Sequence, residues 1–385
     1  MTPGPVASAP TVMLVASLGS SLINFRGPLI KELVGRGCRV VAAAPAIDAS
    51  TSQTLEQLGA EPHHIDLDRH AFIATGDIAA VWTLRRLLRR GAQGDAVVPY
   101  TIKPILLTGL AHRLSGTPAA LVPMFTGLGV LTRTEHTRAG SVLRRALRWV
   151  LRDSRAAIVQ HDADRRWLRY HRIVPDDTPV VVVPGSGVDT DRFAYQPLVE
   201  GGVPEVLYLG RMVPEKGIAR FCGYAAAAGF EARWVAVGPF EDAATEQALL
   251  ERFAEVGIEY RCATDDVRPQ LAAARVVVLP TTYGEGIPRV IQEAMAVGRP
   301  VVVSDAPGCR VAVEHGVSGS IIAPDDVASA VEAIGGLCGD EALASRWGRA
   351  GRERAERLFE AGRVASLTAD AILGVTSDPG PPTVG

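Results

Sequence analysis

Short runs of β-branched and aliphatic residues alternate with stretches of helical period along almost the whole chain, a pattern that predicts strand–helix–strand units and parallel sheets. The pattern occurs twice. A first set of strands falls at Val12–Ser17, Arg39–Ala44, Ala96–Tyr100, Ala119–Pro123, Ala156–Gln160 and Val180–Val183. A second set falls at Glu205–Leu209, Arg233–Val237, Ile258–Cys262, Val276–Leu279 and Val301–Ser304. Between them, Pro184-Gly185-Ser186-Gly187 is a turn-rich joint. The expected architecture is α/β, with two doubly wound domains at 1–187 and 188–360 facing a central cleft. Residues 361–374 read as a C-terminal helix returning toward the first domain, and the Pro/Gly-rich 375–385 as a disordered tail.

At 385 residues the chain exceeds one comfortable core, which agrees with two domains. Lys+Arg of 40 against Asp+Glu of 42 leaves almost no net charge, so nothing global points to nucleic acid. Five scattered cysteines without metal spacing (Cys38, Cys222, Cys262, Cys309, Cys338) read as core fillers in a reducing compartment. Val12–Leu18 lacks a preceding basic region and reads as the first strand rather than a signal peptide. No apolar run approaches the roughly 20 residues a bilayer span needs, so a soluble or peripheral protein is expected.

Candidate chemistry concentrates in Tyr283–Gly298, YGEGIPRVIQEAMAVG, which follows the strand Val276–Leu279. Pro288 suits a helix start, and Gly298 followed by Pro300 suits its end. A helix N-terminus attracts anions such as phosphate, yet Glu285 and Glu293 are acids. A ligand anionic in one part and hydroxyl-rich in another reconciles the two, because a carboxylate accepts hydroxyl protons. A nucleotide sugar has that chemistry. After the second domain's first strand, Gly210–Gly217 carries Arg211, a planar fork, and Lys216, a mobile point charge, suited to gripping a diphosphate. The chain holds 37 Arg and only three Lys, at 31, 103 and 216, so a lysine here stands out.

The segments GRMVPEKG and EGIPRVIQEAMAVGRPVV resemble the donor site of the retaining glycosyltransferases of family 4, which have the GT-B fold of two Rossmann-like domains. The resemblance implies that Arg211 and Lys216 hold the diphosphate, Glu285 contacts sugar hydroxyls and Glu293 holds the ribose. It also implies that the backbone N–H groups of Gly286 and Ile287, next to Pro288, cover sugar and phosphate. Thr264, before Asp265-Asp266-Val267, matches the pocket for the base.

In the first domain, Ser17-Leu18-Gly19-Ser20-Ser21 joins the first strand to a helix expected to start near Phe25. Gly19 would let the backbone approach the diphosphate, though a plain turn explains it equally. The GxGxxG spacing of a dinucleotide fingerprint is missing, which counts against an NAD enzyme. SLGSSLINFRGPLIKELVGRG, VPYTIKP and Phe125-Thr126-Gly127-Leu128-Gly129 resemble a narrower group, which transfers sugars such as N-acetylgalactosamine to polyprenyl-diphosphate-linked acceptors in surface-glycan assembly. On that resemblance Lys103, Thr126 and Gly127 lie on the acceptor side. Many family members carry a histidine beside the transferred sugar, where this chain has Thr101-Ile102-Lys103; His70, His112 and His136 are substitutes to consider.

From Arg133 to Arg172 there are eleven Arg and four acids. A helical wheel places Leu143, Ala146, Leu147, Val150 and Leu151 on one face and Arg144, Arg145, Arg148 and Arg152 on the other. Such a helix suits an anionic membrane surface, or simply its own sheet with the arginines in water. The expected activity is retaining transfer of an N-acetylhexosamine from a UDP-sugar to a hydroxyl of a polyprenyl-diphosphate-linked saccharide, with no metal, no cofactor and no nucleic acid. The expected location is cytoplasmic, peripheral on the inner face of the plasma membrane. Alternatives are a non-hydrolysing UDP-sugar epimerase and a sugar-nucleotide-binding protein without transfer activity.

Overall fold

The computed structural model describes residues 9–68, 75–90 and 94–374. The chain divides into two compact units, one of residues up to Ser186 together with those from Gly362, the other Gly187–Ala361.

The first unit has strands β1 (Thr11–Val15), β2 (Arg39–Ala44), β3 (Ala60–His64), β4 (Ala96–Pro99), β5 (Ala120–Leu121), β6 (Ala157–Val159) and β7 (Val180–Val182). Its helices are α1 (Gly19–Gly35), α2 (Ala49–Gln57), α3 (Thr75–Leu88), α4 (Ile102–Ser115), α5 (Gly129–Arg133), α6 (Arg138–Leu151) and α7 (Asp162–Tyr170). Five strands pair in parallel in the order β3-β2-β1-β4-β5. The parallel pair β6-β7 continues from single bridges Tyr100–Met124 and Met124–Ile158. Alternation along β1 serves both faces of the sheet. Met13 and Val15 pack with Ala80 of α3, Ile105 of α4 and Leu147 of α6. Val12 and Leu14 pack with Leu22 and Ile30 of α1 and Leu55 of α2.

The second unit has β8 (Glu205–Leu209), β9 (Arg233–Val237), β10 (Ile258–Arg261), β11 (Val276–Leu279), β12 (Val301–Ser304) and β13 (Gly319–Ile322). Its helices are α8 (Ile218–Ala227), α9 (Ala243–Val256), α10 (Arg268–Ala273), α11 (Arg289–Val297), α12 (Pro307–Ala312), α13 (Val327–Gly339) and α14 (Glu341–Phe359). All six strands are parallel, in the order β10-β9-β8-β11-β12-β13. The last helix, α15 (Ala361–Leu373), puts Val364, Ala369 and Ile372 into the first unit's core beside Val12 and Leu14.

Two edge strands were not expected, β3 and β13. The sequence of β3, AEPHH, contains Pro62 and no β-branched residue, which an edge position tolerates. The first helix begins at Gly19 rather than near Phe25. Residues 375–385, expected to be a disordered tail, lie outside the described residues.

Candidate functional site

In a doubly wound sheet, ligands bind beyond the carboxyl ends of the strands, where the strand order reverses. In the second unit the chain runs outward from β8 to β9 and β10 on one side, and from β11 to β12 and β13 on the other. The reversal lies between β8 and β11. The loop after β8 carries Arg211 and Lys216; the loop after β11 carries Glu285, Gly286, Ile287 and Pro288.

Backbone contacts lock these two loops together. The Glu215 carbonyl accepts from the Thr282 N–H and from the Thr281 hydroxyl, each at 3.1 Å. Gly217 sits at φ +81°, and a Cβ there would come within 2.0 Å of the Pro280 carbonyl oxygen, so the approach requires glycine. The result is side-chain chemistry between strands. The Lys216 ammonium donates to Glu285 Oε2 at 2.5 Å, and Glu285 Oε1 accepts from the Thr281 hydroxyl at 3.1 Å. Arg211 differs. Its guanidinium is exposed and has no protein partner among the described residues, while its carbonyl accepts from the buried Tyr208 hydroxyl at 2.8 Å.

Pro288 is extended at φ −62° and ψ 127°, and so caps α11 from outside rather than lying in its first turn. Gly286 and Ile287 are buried against α12, where a Cβ at Gly308 would come within 1.8 Å of the Gly286 carbonyl oxygen. Glu293, one turn into α11, is mostly buried and accepts from Arg289 Nε at 2.7 Å. Burial pushes its carboxyl up, and Arg289 offsets part of that. Thr264 is exposed after β10, and its hydroxyl is engaged with the backbone of Asp266 at 3.2 Å. Arg268, donating to both Asp266 oxygens at 2.7 Å, holds that carboxyl below its ordinary range, with the exposed Arg192 a lesser influence.

Sequence reasoning missed Thr281, Gly308 and Cys309. Burial raises the Cys309 thiol most, Glu285 adds to the rise and Lys216 opposes it, so this buried thiol lies behind the ion pair. The available signal was Asp305-Ala306-Pro307-Gly308-Cys309, a turn at the carboxyl end of the strand next to β11.

The first unit reverses its strand order between β1 and β4. Gly19 opens α1 there; a Cβ on it would press the Ala46 carbonyl oxygen at 3.0 Å, so packing on the loop after β2 also accounts for it. Thr126 and Gly127 are half-buried in the loop that follows Met124. Lys103 is not an open cation. Its ammonium lies 2.8 Å from Asp77 Oδ1 and donates to the Asp68 carbonyl at 2.5 Å, because the buried Asp77 needs a counter-charge. His112 is bonded to the Ala119 carbonyl at 2.8 Å, His136 is exposed, and His70 lies outside the described residues. Arg144, expected among the solvent-facing arginines of α6, is buried at 8% exposure, donating to the Glu135 carbonyl at 2.8 Å. Trp149 instead stands exposed beside Arg145 and Arg148. Among the described residues no helix is long and apolar enough to cross a membrane, and no metal-ligating cluster occurs.

Residues 26–185 match the model of the glycosyl transferase 4-like domain, and residues 203–340 that of glycosyl transferases group 1. The chain therefore carries two glycosyltransferase domains. An α-maltose-1-phosphate synthase of Mycobacterium tuberculosis is 29% identical over 226 residues, 52% of this chain and 58% of that protein. The N,N'-diacetylbacillosaminyl-diphospho-undecaprenol alpha-1,3-N-acetylgalactosaminyltransferase of Campylobacter jejuni is 32% identical over 140 residues, 36% of this chain and 37% of that protein. The matches thus span little more than half the length of the first of these relatives and little more than a third of the second. Anabaena HepE, crystallised in complex with UDP, superposes with a TM-score of 0.77 at 17% identity over 94% of this chain and all of that one. The fold of this glycosyltransferase-domain chain is GT-B.

Proposed function

We propose that the protein is a retaining glycosyltransferase that moves an N-acetylhexosamine from a UDP-sugar to a hydroxyl of a polyprenyl-diphosphate-linked saccharide, in glycan or polysaccharide biosynthesis. The observation that carries this reading is the switch point of the second sheet, where Arg211, the Lys216–Glu285 pair and the Gly286–Pro288 turn converge. HepE, of the same fold, was crystallised with UDP and with UDP-glucose, which supports a uridine nucleotide as donor. The Campylobacter relative's name specifies an undecaprenol-linked acceptor and N-acetylgalactosamine, which supports the acceptor and sugar classes.

In the reaction, the bond from the anomeric carbon to the diphosphate breaks while a bond to the acceptor oxygen forms on the same face. The acceptor's proton passes to the departing phosphate oxygen. Negative charge grows on the diphosphate, and Arg211 and Lys216 meet it as prearranged cations. Glu285 and Glu293 accept sugar and ribose hydroxyl protons, and Thr264 borders the base. In the first unit, Thr126 and Gly127 are assigned to the acceptor. Two cations at the diphosphate make a divalent ion unnecessary, so transfer should survive chelation. The protein would act at the cytoplasmic face of the membrane that holds the acceptor lipid, with Arg133–Arg172 toward its anionic surface.

The test is incubation of UDP-N-acetylhexosamines with and without a polyprenyl-diphosphate saccharide, the products being analysed for anomeric configuration. An α-linked product that appears only with acceptor is expected. A new UDP-sugar epimer formed without acceptor would make the protein an epimerase instead.

A further inference from the structure

One flank of the first sheet is covered by α3, α4 and α6, packed in that order. Their inner faces are already satisfied, with Ala80, Leu84, Ile105 and Leu147 in one core. Large apolar residues on the outer side gain nothing within the fold. Yet Ile78 and Trp82 of α3 are 64% and 54% exposed, and Val142 and Trp149 of α6 are 63% and 49% exposed. Leu114, at the end of α4, joins them at 46%.

Each of these tryptophans lies under an arginine, Arg85 at 5.0 Å from the Trp82 ring and Arg113 at 4.8 Å from that of Trp149. Both arginines meet at the last turn of α4. Arg113 belongs to that turn, and Arg85 Nε donates to the Leu114 carbonyl at 2.8 Å. The two pairs therefore form one patch. Arg86, Arg89, Arg90, Arg145 and Arg152 are exposed on the same helices and the turns that end them, and the exposed Asp153 is already taken by Arg113 at 2.7 Å.

We propose that this flank docks on an anionic phospholipid surface, with Ile78, Trp82 and Trp149 entering the headgroup region and the arginines meeting lipid phosphates. It rests on the membrane part of the reading above and adds α3, which lies outside Arg133–Arg172. Charge complementarity selects the occupant. The exposed charge on α3, α4 and α6 is of one sign, since their one acid, Asp77, is buried and the neighbouring Asp153 is paired with Arg113; that opposes a second copy of the same flank and matches an anionic surface. Indole beside guanidinium is the mixture that a bilayer interface accommodates, and each basic residue near an anionic leaflet adds to the attraction.

Flotation of the full chain with vesicles of phosphatidylcholine alone, and of phosphatidylcholine mixed with phosphatidylglycerol, tests it. Binding to the anionic vesicles only is expected. Ile78→Ser with Trp82→Ser should reduce it about tenfold, as should Arg86→Glu with Arg89→Glu, while Leu250→Ser on the second unit leaves it unchanged. Thermal stabilisation by UDP, read on the same variants, should be unaltered, which keeps this outcome separate from the fate of the donor-site reading. Equal binding to both vesicles, anionic binding unchanged in the α3 variants, or no flotation together with a dimer dissolved by Trp82→Ser would each overturn the proposal.

Discussion

Lys216 and Glu285, 69 positions apart in the chain, form a 2.5 Å ion pair between the loops that follow β8 and β11. The acid is thereby aimed and the ammonium held in place before any ligand arrives, so the two act as a unit. Lys216→Ala should lower kcat/KM by about two powers of ten, roughly 3 kcal/mol. Glu285→Gln should lower it as well. The double variant should cost less than the sum by about 1 kcal/mol, because each single change strands the other partner. Initial rates of transfer in the four proteins measure this, and strictly additive losses would show that the pair is not coupled in the transition state.

Arg211 offers a cleaner case. Its guanidinium has no protein partner among the described residues, so Arg211→Ala should leave thermal unfolding unchanged while reducing turnover by about two powers of ten. A normal rate with normal stability would remove Arg211 from the diphosphate.

Gly308 bears on the site from behind. A side chain at this position would meet the Gly286 carbonyl oxygen at 1.8 Å, and backbone cannot rotate away as a side-chain end can. Gly308→Ala should therefore displace the Gly286–Ile287 peptide and weaken UDP binding by about 1–3 kcal/mol. Isothermal titration with UDP reads the effect. A variant that binds UDP normally would show that this peptide does not touch the nucleotide.

Much of the fold was legible because parallel strands are buried on both faces and appear as unbroken apolar runs, such as Val276–Leu279 and Val301–Ser304. The edge strands β3 and β13 have no such run. The meeting of the loops after β8 and β11 was legible for a different reason: Arg211, Lys216 and Glu285 lie just past strong strands, where sequence position and spatial position coincide. Lys103 was not, since its partner Asp77 lies in another helix and nothing in the Thr101-Ile102-Lys103 spacing announces a buried acid. Arg144 failed similarly. A helical wheel assigns faces by residue type, but the carbonyl of Glu135 in the preceding turn gives this guanidinium a buried partner.

Thr101 precedes α4 at φ +66° and ψ 153°, a region that β-branched residues strongly avoid, at the point where the first sheet reverses its order. Its hydroxyl donates to Ser17 Oγ at 3.3 Å. Thr101→Gly relieves strain worth about 1–3 kcal/mol and loses part of that to a freer unfolded chain, for a net gain of about 1 kcal/mol. Urea unfolding should show a higher midpoint, and a fall in transfer rate alongside it would mark the strain as functional. A lower midpoint would mean that the Ser17 contact outweighs the strain.

Asp164 sets a pH dependence in the first unit. It is 6% exposed, its backbone N–H donates to His161 Nδ1 at 3.2 Å, and burial pushes its carboxyl from the ordinary 3.8 up to about 7. A raised carboxyl in the folded state favours the protonated form, so its contribution is whole below the unfolded value and is lost as pH rises through the folded one. Stability should fall between about pH 4 and about pH 7, by no more than about 4 kcal/mol, and level off above. Asp164→Asn keeps the backbone bond to His161 and removes the titration. Urea midpoints of the two proteins should then differ least at the acid end and separate progressively up to neutrality, with the variant the more stable. A gap that stays constant across that range would show that Asp164 is ionised in the fold at ordinary carboxylate pH.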